Sequence, residues 1–446
     1  MKKIITYGTF DLFHQGHYNI LRRAKELGDY LIVGVTTEHF DEARGKVNVV
    51  DSLMERIENV RSTGLADQII VEDHDGQKIE DIQKYGVDTF VLGSDWKGTF
   101  DYLKAYCNVV YFERTPDVSS TMLRKDRFQI VRTGIVGTGR IAPRFMSEAK
   151  YVSGINMVSC YNPEQVSCEN FASAFELASY TDSYADFLGD VDAVYIAAPN
   201  QYHYEYAKQA LEAGRHVLCE KPLSFTQSQS RELYDLARDK GCVLMEAVKT
   251  AYCPGFQQVI NVAKSGKIGE IKDVQATFTR LARPDSREAA DAKYGGSFLE
   301  YGPYLLLPAI KLLGTEIRAV HFDTIYGPEG QDHYTSLSIR YDNAMAGGHC
   351  GVAVKSEGSL VIAGTKGYIL VPSPWWLTKH FEVRYEDANE VETYEPRFLG
   401  DGLRYEIAEF VSQINGTEKN GYKLKPEEAI AMAGVTERYM RYRKLI

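Results

Sequence analysis

The sequence predicts an α/β protein: two successive parallel-sheet units, each Rossmann-like, followed by an α+β unit with a mostly antiparallel open sheet. Three observations predict it. A chain of 446 residues makes about three units at roughly 150 residues per domain. Strand-like apolar runs alternate with amphipathic stretches twice over, from residue 3 to about 123 and from about 131 to 248, which is the pattern of parallel strands joined by helices. After about residue 250 the strand-like runs instead follow one another directly, as in a sheet built of antiparallel neighbours.

In the first unit, strands are expected at 4–7, 30–35, 68–71, 89–92 and 108–112, with a helix over 18–27. The polar stretch Arg124-Lys125-Asp126-Arg127, just before a fresh strand at 130–134, marks a boundary. The second unit carries strands at 132–136 and 193–197 and another that ends at Cys219-Glu220. The third has strands at 270–281, 317–326, 334–341, 344–354, 359–363 and 367–371, with helices before and after. The expected division is 1–127, 131–250 and 251–446. An open sheet covered by helices on one face leaves the other for self-association, so a homo-oligomer, dimer or tetramer, is expected.

Composition narrows the function. The 44 % hydrophobic and 25 % charged content is that of an ordinary globular protein. Its 51 Lys+Arg against 61 Asp+Glu leave a net charge of −10, with the charges interspersed. That balance disfavours a nucleic-acid or anionic-membrane partner. No apolar run approaches the roughly 18 to 20 residues that span a bilayer, and Met1-Lys2-Lys3 leads straight into a strand. A cytoplasmic enzyme is expected. Seven cysteines, odd in number and never in a C-x-x-C pair, indicate neither a disulfide framework nor a zinc site. They read as reduced, mostly buried thiols.

Between the first strand and the first helix lies Gly8-Thr9-Phe10-Asp11-Leu12-Phe13-His14-Gln15-Gly16-His17. An open α/β sheet presents ligands to a helix N-terminus at this position. His14 and His17, three apart, can point both imidazoles at one anion, and Gly16 leaves room for a phosphate chain. Nucleotidyl transfer needs this arrangement, because attack on an α-phosphate builds negative charge on its non-bridging oxygens. The segment, together with Leu92-Gly93-Ser94-Asp95-Trp96-Lys97-Gly98 and the run from Arg114 to Thr121, resembles the nucleotidyltransferase superfamily that includes glycerol-3-phosphate cytidylyltransferase.

The resemblance implies that Thr9, His14 and His17 contact the triphosphate of CTP, the histidines stabilising the transition state, and that Lys46 neutralises phosphate charge. It further places Phe10, Asp95, Arg114 and Thr115 in the nucleotide pocket and Ser119 and Ser120 on phosphate oxygens. Mg²⁺ is implied with the triphosphate, although no carboxylate pair identifies a protein-supplied metal cage. The helix after Glu55-Arg56 departs from the family: Gly64 stands where an arginine holds the acceptor phosphate, with Arg61 nearby. The acceptor is therefore left open.

In the second unit a strand runs into Gly137-Thr138-Gly139-Arg140-Ile141-Ala142, a G-x-G-x-x-A turn that lets a helix N-terminus meet a pyrophosphate. About 20 residues on, where a carboxylate grips an NAD ribose, the sequence reads Ser159-Cys160-Tyr161-Asn162-Pro163 without an acid. That leans toward NADP and leaves NAD open. Two further strand ends deliver Pro199-Asn200-Gln201-Tyr202-His203 and Glu220-Lys221-Pro222. This succession resembles the glucose-fructose oxidoreductase / inositol dehydrogenase / rhizopine-catabolism family over about 315 residues.

The resemblance implies Lys221 as the catalytic lysine. The family's Asp-x-x-x-His pair is replaced by Glu300 and Tyr304, and Tyr304 is assigned as the acid, with Lys221 tuning it. Gly137, Gly139, Arg140, Ile141, Asn162, Pro199, Asn200, His203 and Glu220 are expected around the cofactor. Lys249 either holds a substrate phosphate or is an exposed lysine.

Together these readings predict a bifunctional enzyme. An NAD(P)H-dependent reductase would convert a sugar phosphate to a polyol phosphate, and the transferase would couple it to CMP, giving a CDP-polyol for a cell-surface polymer. Open alternatives are the reverse order, two fused enzymes with unrelated substrates, a nucleotide-sensing second half without turnover, and an adenylyltransferase in place of a cytidylyltransferase.

Overall fold

The computed structural model describes residues 1–13, 15–43, 46, 49–113, 129–416 and 423–444. Among these described residues, 19 strands form three sheets. The first contains β1 (Lys3–Gly8), β2 (Tyr30–Thr36), β3 (Gln68–Glu72), β4 (Thr89–Gly93) and β5 (Asn108–Phe112) in the order β3-β2-β1-β4-β5. All four pairings are parallel. β1 and β2 are apolar and buried on both faces, which suits central strands covered by helices on either side. The first helix runs over Gln15–Lys25, two to three residues earlier than the apolar spacing predicts.

The second sheet holds β6 (Val131–Val136), β7 (Ile155–Tyr161), β8 (Ser179–Thr181), β9 (Ala193–Ile196), β10 (His216–Glu220) and β11 (Leu244–Ala247) in the order β11-β10-β9-β6-β7-β8, again all parallel. In both sheets the strand order reverses beside the first strand, between β1 and β4 and between β6 and β9. Loops leaving the carboxyl ends at such a point diverge and open a crevice.

The third sheet is β12 (Ile271–Thr279), β13 (Ala319–Tyr326), β14 (Asp332–Arg340), β15 (Met345–Gly351), β16 (Leu360–Gly364), β17 (Tyr368–Val371), β18 (Phe381–Arg384) and β19 (Val391–Tyr394), ordered β13-β14-β15-β12-β16-β17-β18-β19. Only β12 and β15 pair in parallel. The 17-residue helix Ser297–Leu313, apolar almost all round, lies against β12 and β15 and carries Glu300 and Tyr304 on its first turns. The last helices return to the second unit: Leu403–Ile414 packs on Ala142–Ala149, and Pro426–Tyr442 on Gln227–Lys240. One continuous apolar cluster therefore runs from the second sheet into the third.

All seven cysteines are free thiols, five buried and two half-buried. No helix among the described residues is long and apolar enough to cross a membrane.

Candidate active sites

The first crevice lies between the loops after β1 and β4. Phe10 and Leu12 both have positive φ, 52° and 46°, a conformation uncommon for side chains of this size and held only where surroundings impose it. Phe10 is buried and its ring meets that of His17 at 5.5 Å, while Phe13 meets His17 at 5.4 Å. His17 thus sits on the first turn of the helix Gln15–Lys25, braced by two aromatic rings. That turn contains no acidic residue, so the helix N-terminus keeps its affinity for an anion. His14 lies outside the described residues, as do Arg114, Thr115, Ser119 and Ser120.

Beneath the loop is a polar scaffold. Thr9 Oγ1 donates to Asp41 Oδ1 (3.0 Å) and Thr36 Oγ1 to Asp41 Oδ2 (2.6 Å). Arg56, fully buried, donates to the carbonyl oxygens of Thr9 (2.9 Å), Thr36 (2.8 Å) and Asp51 (3.0 Å) and lies 3.5 Å from Asp41. Sequence reasoning passed over Arg56, since an arginine in an amphipathic helix reads as surface charge. Asp11 accepts from the backbone N–H of Val50 and of Asp51, and burial raises its pKa. Its role is to brace the loop. Lys46 Nζ donates to the carbonyl of Lys150, 3.3 Å away in the second unit. Asp95 is exposed on the short turn Ser94–Trp96 that follows β4. Arg61 is exposed and paired with Glu58, and Gly64 follows the helix end with φ 67°.

At the second crevice, Gly137 has φ 93°, and a Cβ there would lie 2.9 Å from the Ala197 carbonyl at the end of β9. Only glycine fits. A Cβ on Gly139 would meet no protein atom within 4 Å, so this part of the turn is open to a pyrophosphate. The residues present fit a dinucleotide: a glycine turn, a following helix Ala142–Ala149 whose first turn carries no acid, and a polar cluster at the ribose end. In that cluster Asn162 donates to Thr138 Oγ1 (2.7 Å), which meets Ser167 Oγ at 2.8 Å. Gly137→Ala is expected to destabilise the protein by about 1–3 kcal/mol and to weaken NADPH binding at least tenfold, measured by thermal melting and fluorescence titration.

Lys221 Nζ donates to the Glu300 carbonyl (2.7 Å), lies 3.4 Å from Glu300 Oε1 and stands 5.7 Å from the centre of the Tyr304 ring. Tyr304 is buried against Phe278. Burial and the negative charges of Glu220 and Glu300 push its phenol pKa well up. Glu220 accepts from Tyr195 Oη (2.6 Å), and burial raises its pKa too. Around Glu300 the chain gathers three cations: Lys221, Arg140 at 3.4 Å and Arg287 at 3.6 Å. Arg140 also pairs with Glu288. Arg287 donates to Asn200 Oδ1 (3.1 Å), whose Nδ2 donates to the Tyr294 carbonyl. Arg287 and Glu288 were not foreseen, because only the fold brings residues 140, 221, 287, 288 and 300 together.

Pro199 is exposed at the mouth, and Ile141 is half-buried at the start of the helix Ala142–Ala149. Lys249 is not an exposed lysine: it is half-buried and its Nζ donates to the Asp401 carbonyl (2.7 Å). Burial and the neighbouring Arg144 lower its pKa.

His203 is buried, with its ring nitrogens 2.8 Å from the carbonyls of Pro222 and Ala198. Burial lowers its pKa from 6.5 to about 4. The unfolded chain therefore takes up a proton that the folded chain refuses until about pH 4. The stability is complete above pH 6.5 and is lost as pH falls toward 4. Wild-type thermal midpoints should fall across that window, and His203→Gln should flatten the slope; parallel curves would contradict this.

Among the described residues, no group of three or more His, Cys, Asp or Glu side chains is placed to hold a metal.

Fold and sites define a two-site enzyme, a nucleotidyltransferase fused to a dinucleotide-dependent oxidoreductase. The family described as cytidylyltransferase-like matches residues 5–126, the oxidoreductase family with an NAD-binding Rossmann fold matches 131–248, and the GFO/IDH/MocA C-terminal domain matches 256–370. The glycerol-3-phosphate cytidylyltransferase of Bacillus spizizenii is 52 % identical over 126 residues, 28 % of this chain and 97 % of that one. The scyllo-inositol 2-dehydrogenase (NADP(+)) of Bacillus subtilis is 26 % identical over 322 residues, 69 % of this chain and 95 % of that one. A crystal structure of a 3-ketoreductase from Actinomadura kijaniata, in complex with NADP and TDP-benzene, shares the fold with a TM-score of 0.61 at 23 % identity, covering 69 % of this chain and 96 % of that one. The chain belongs to the cytidylyltransferase family in its N-terminal part and to the GFO/IDH/MocA oxidoreductase family across 131–248 and 256–370. It is a cytidylyltransferase and an NAD(P)-dependent oxidoreductase.

Proposed function

We propose that the oxidoreductase reduces the carbonyl of a sugar phosphate to a polyol phosphate, and that the transferase joins this product to CMP, releasing pyrophosphate and forming a CDP-polyol for a surface polymer. The observation that carries this reading is the union in one chain of a cytidylyltransferase and a reductase, each with cations at its crevice. These are Lys46 at the first crevice and the Lys221, Arg140 and Arg287 group at the second. A fusion gives an advantage when one product feeds the other site, and the phosphorylated polyol is the species both would recognise.

In this reading Thr9, Phe10, His14, His17, Lys46, Asp95, Arg114, Thr115, Ser119 and Ser120 serve CTP, which brings Mg²⁺ with its triphosphate. His14 and His17 stabilise charge on the α-phosphate. NADPH, favoured by the missing ribose carboxylate and by the NADP named for relatives, supplies the hydride. Tyr304 gives the proton to the carbonyl oxygen, and Lys221 holds the positive charge that keeps this transfer feasible. Residues 1–127, 131–250 and 251–446 act as transferase, cofactor and substrate units, and copies of the chain associate through the third sheet.

The test is to incubate the full chain with NADPH, CTP and a panel of ketose and aldose phosphates, with CTP added before or after reduction. CDP-polyol formed in one pot, with reduction independent of CTP, is the expected result. Reduction only after CTP has reacted would reverse the order. Two activities with no shared intermediate, or no NADPH oxidation at all, would overturn the pathway.

A further inference from the structure

The first crevice is not bounded by the transferase fold alone. The turn 150–153 of the second unit, between the helix Ala142–Ala149 and β7, lies across the carboxyl edge of the first sheet at the point where its strand order reverses. It meets residues from three separate transferase loops. From the loop after β1, Asp11 lies near Ser153, which offsets a small part of the rise that burial imposes on its pKa. The second contact is the one from Lys46 to the Lys150 carbonyl. From the turn after β4, Trp96 meets the edge of Tyr151 at 5.7 Å, and the Lys150 ammonium stands 4.8 Å from the centre of the Trp96 ring. Ser153 is buried, and Val152 packs into the apolar cluster shared by the second and third sheets.

The turn is also held from behind. The Arg404 guanidinium lies 4.1 Å over the other partner ring, Tyr151, and is fixed to the buried Glu148 by two charge-assisted bonds of 2.9 and 2.6 Å. A separate tether, Ser94 Oγ to Glu176 Oε2 at 2.5 Å, joins the loop after β4 to the second unit. An ammonium held over an aromatic face on the turn after β4, at the edge of the first crevice and on a braced turn, is a preorganised charge. It costs no reorganisation when phosphate arrives.

We propose that this turn is a wall of the transferase site, and that the Lys150 ammonium holds a phosphate of the nucleotide or of the acceptor. The oxidoreductase half then completes the cytidylyltransferase. The inference rests on the transferase assignment and not on the coupled pathway.

The experiment uses the full chain with Lys150→Met and Lys150→Arg, neither of which touches the reductase crevice. Calorimetric titration is carried out with CTP alone, and with glycerol 3-phosphate in the presence of the α,β-methylene analogue of CTP. Weakening of at least tenfold by Lys150→Met, with partial recovery in Lys150→Arg, is expected in one arm, and which arm responds identifies the phosphate. NADPH oxidation should stay at the wild-type rate, which excludes general misfolding. Affinities within twofold of wild type in both arms would overturn the proposal. If glycerol 3-phosphate does not bind the wild-type chain, the choice of acceptor fails and the CTP arm alone decides.

Discussion

Lys221→Met is expected to lower the rate of NADPH-dependent carbonyl reduction by about 10³, within the range for a positioned acid–base group, while CTP-dependent transfer continues unchanged. The reason is the electrostatics around Tyr304. Its phenol is buried, and Glu220 and Glu300 add negative charge that opposes ionisation. A donor that must release its proton as the carbonyl oxygen becomes an alkoxide is poor in that setting unless a cation stands beside it. Lys221, 5.7 Å from the ring centre, is the one placed to do so from the end of β10. Its ammonium is aimed by the Glu300 carbonyl, so methionine removes the charge while keeping most of the bulk. The loss should fall on kcat, with KM for NADPH within a few fold, because the interaction strengthens as the transition state forms. A rate within a factor of three of wild type would show that the proton comes from elsewhere.

The parts of the molecule legible in the sequence are those whose signal is contiguous. The buried parallel strands appear as runs such as Ile4-Ile5 and Leu31-Ile32-Val33, and the two glycine-bearing loops announce themselves because they join a strand to a helix. The unforeseen strands β18 and β19 are only four residues long and carry Glu382, Arg384 and Glu392, too short and too charged for alternation to register. Site residues were hidden for a different reason. Arg287 and Glu288 belong to the cofactor crevice only because the first turns of the helix Ser297–Leu313 bring Glu300 to Lys221. Cys160 and Cys168 show the same limit: no C-x-x-C spacing links them, yet β7 and the helix Gln165–Phe175 place their sulfurs 3.0 Å apart.

Arg56→Met should destabilise the transferase unit by about 3–5 kcal/mol, the range seen when one partner of a buried ionic group is removed. Its guanidinium ties together three segments that define the first crevice: the carbonyls of Thr9 after β1, of Thr36 at the end of β2 and of Asp51 before the helix Leu53–Ser62. It also lies 3.5 Å from the buried Asp41, whose carboxylate accepts from the hydroxyls of Thr9 and Thr36. Methionine fills much of the volume but leaves three carbonyls without that donor and two carboxylates, Asp41 and Glu38, without that cation. Because Asp41 holds Thr9, the effect reaches the phosphate loop even in molecules that remain folded. Trp96 is the sole tryptophan of residues 1–127, and its fluorescence should report an unfolding step at lower urea concentration than in wild type. Cytidylyl transfer should fall more than tenfold below the midpoint of that step. NADPH oxidation, which depends on the second and third sheets, should survive to higher urea. A coincident, unshifted transition would mean that the Thr9 loop is held by contacts other than Arg56.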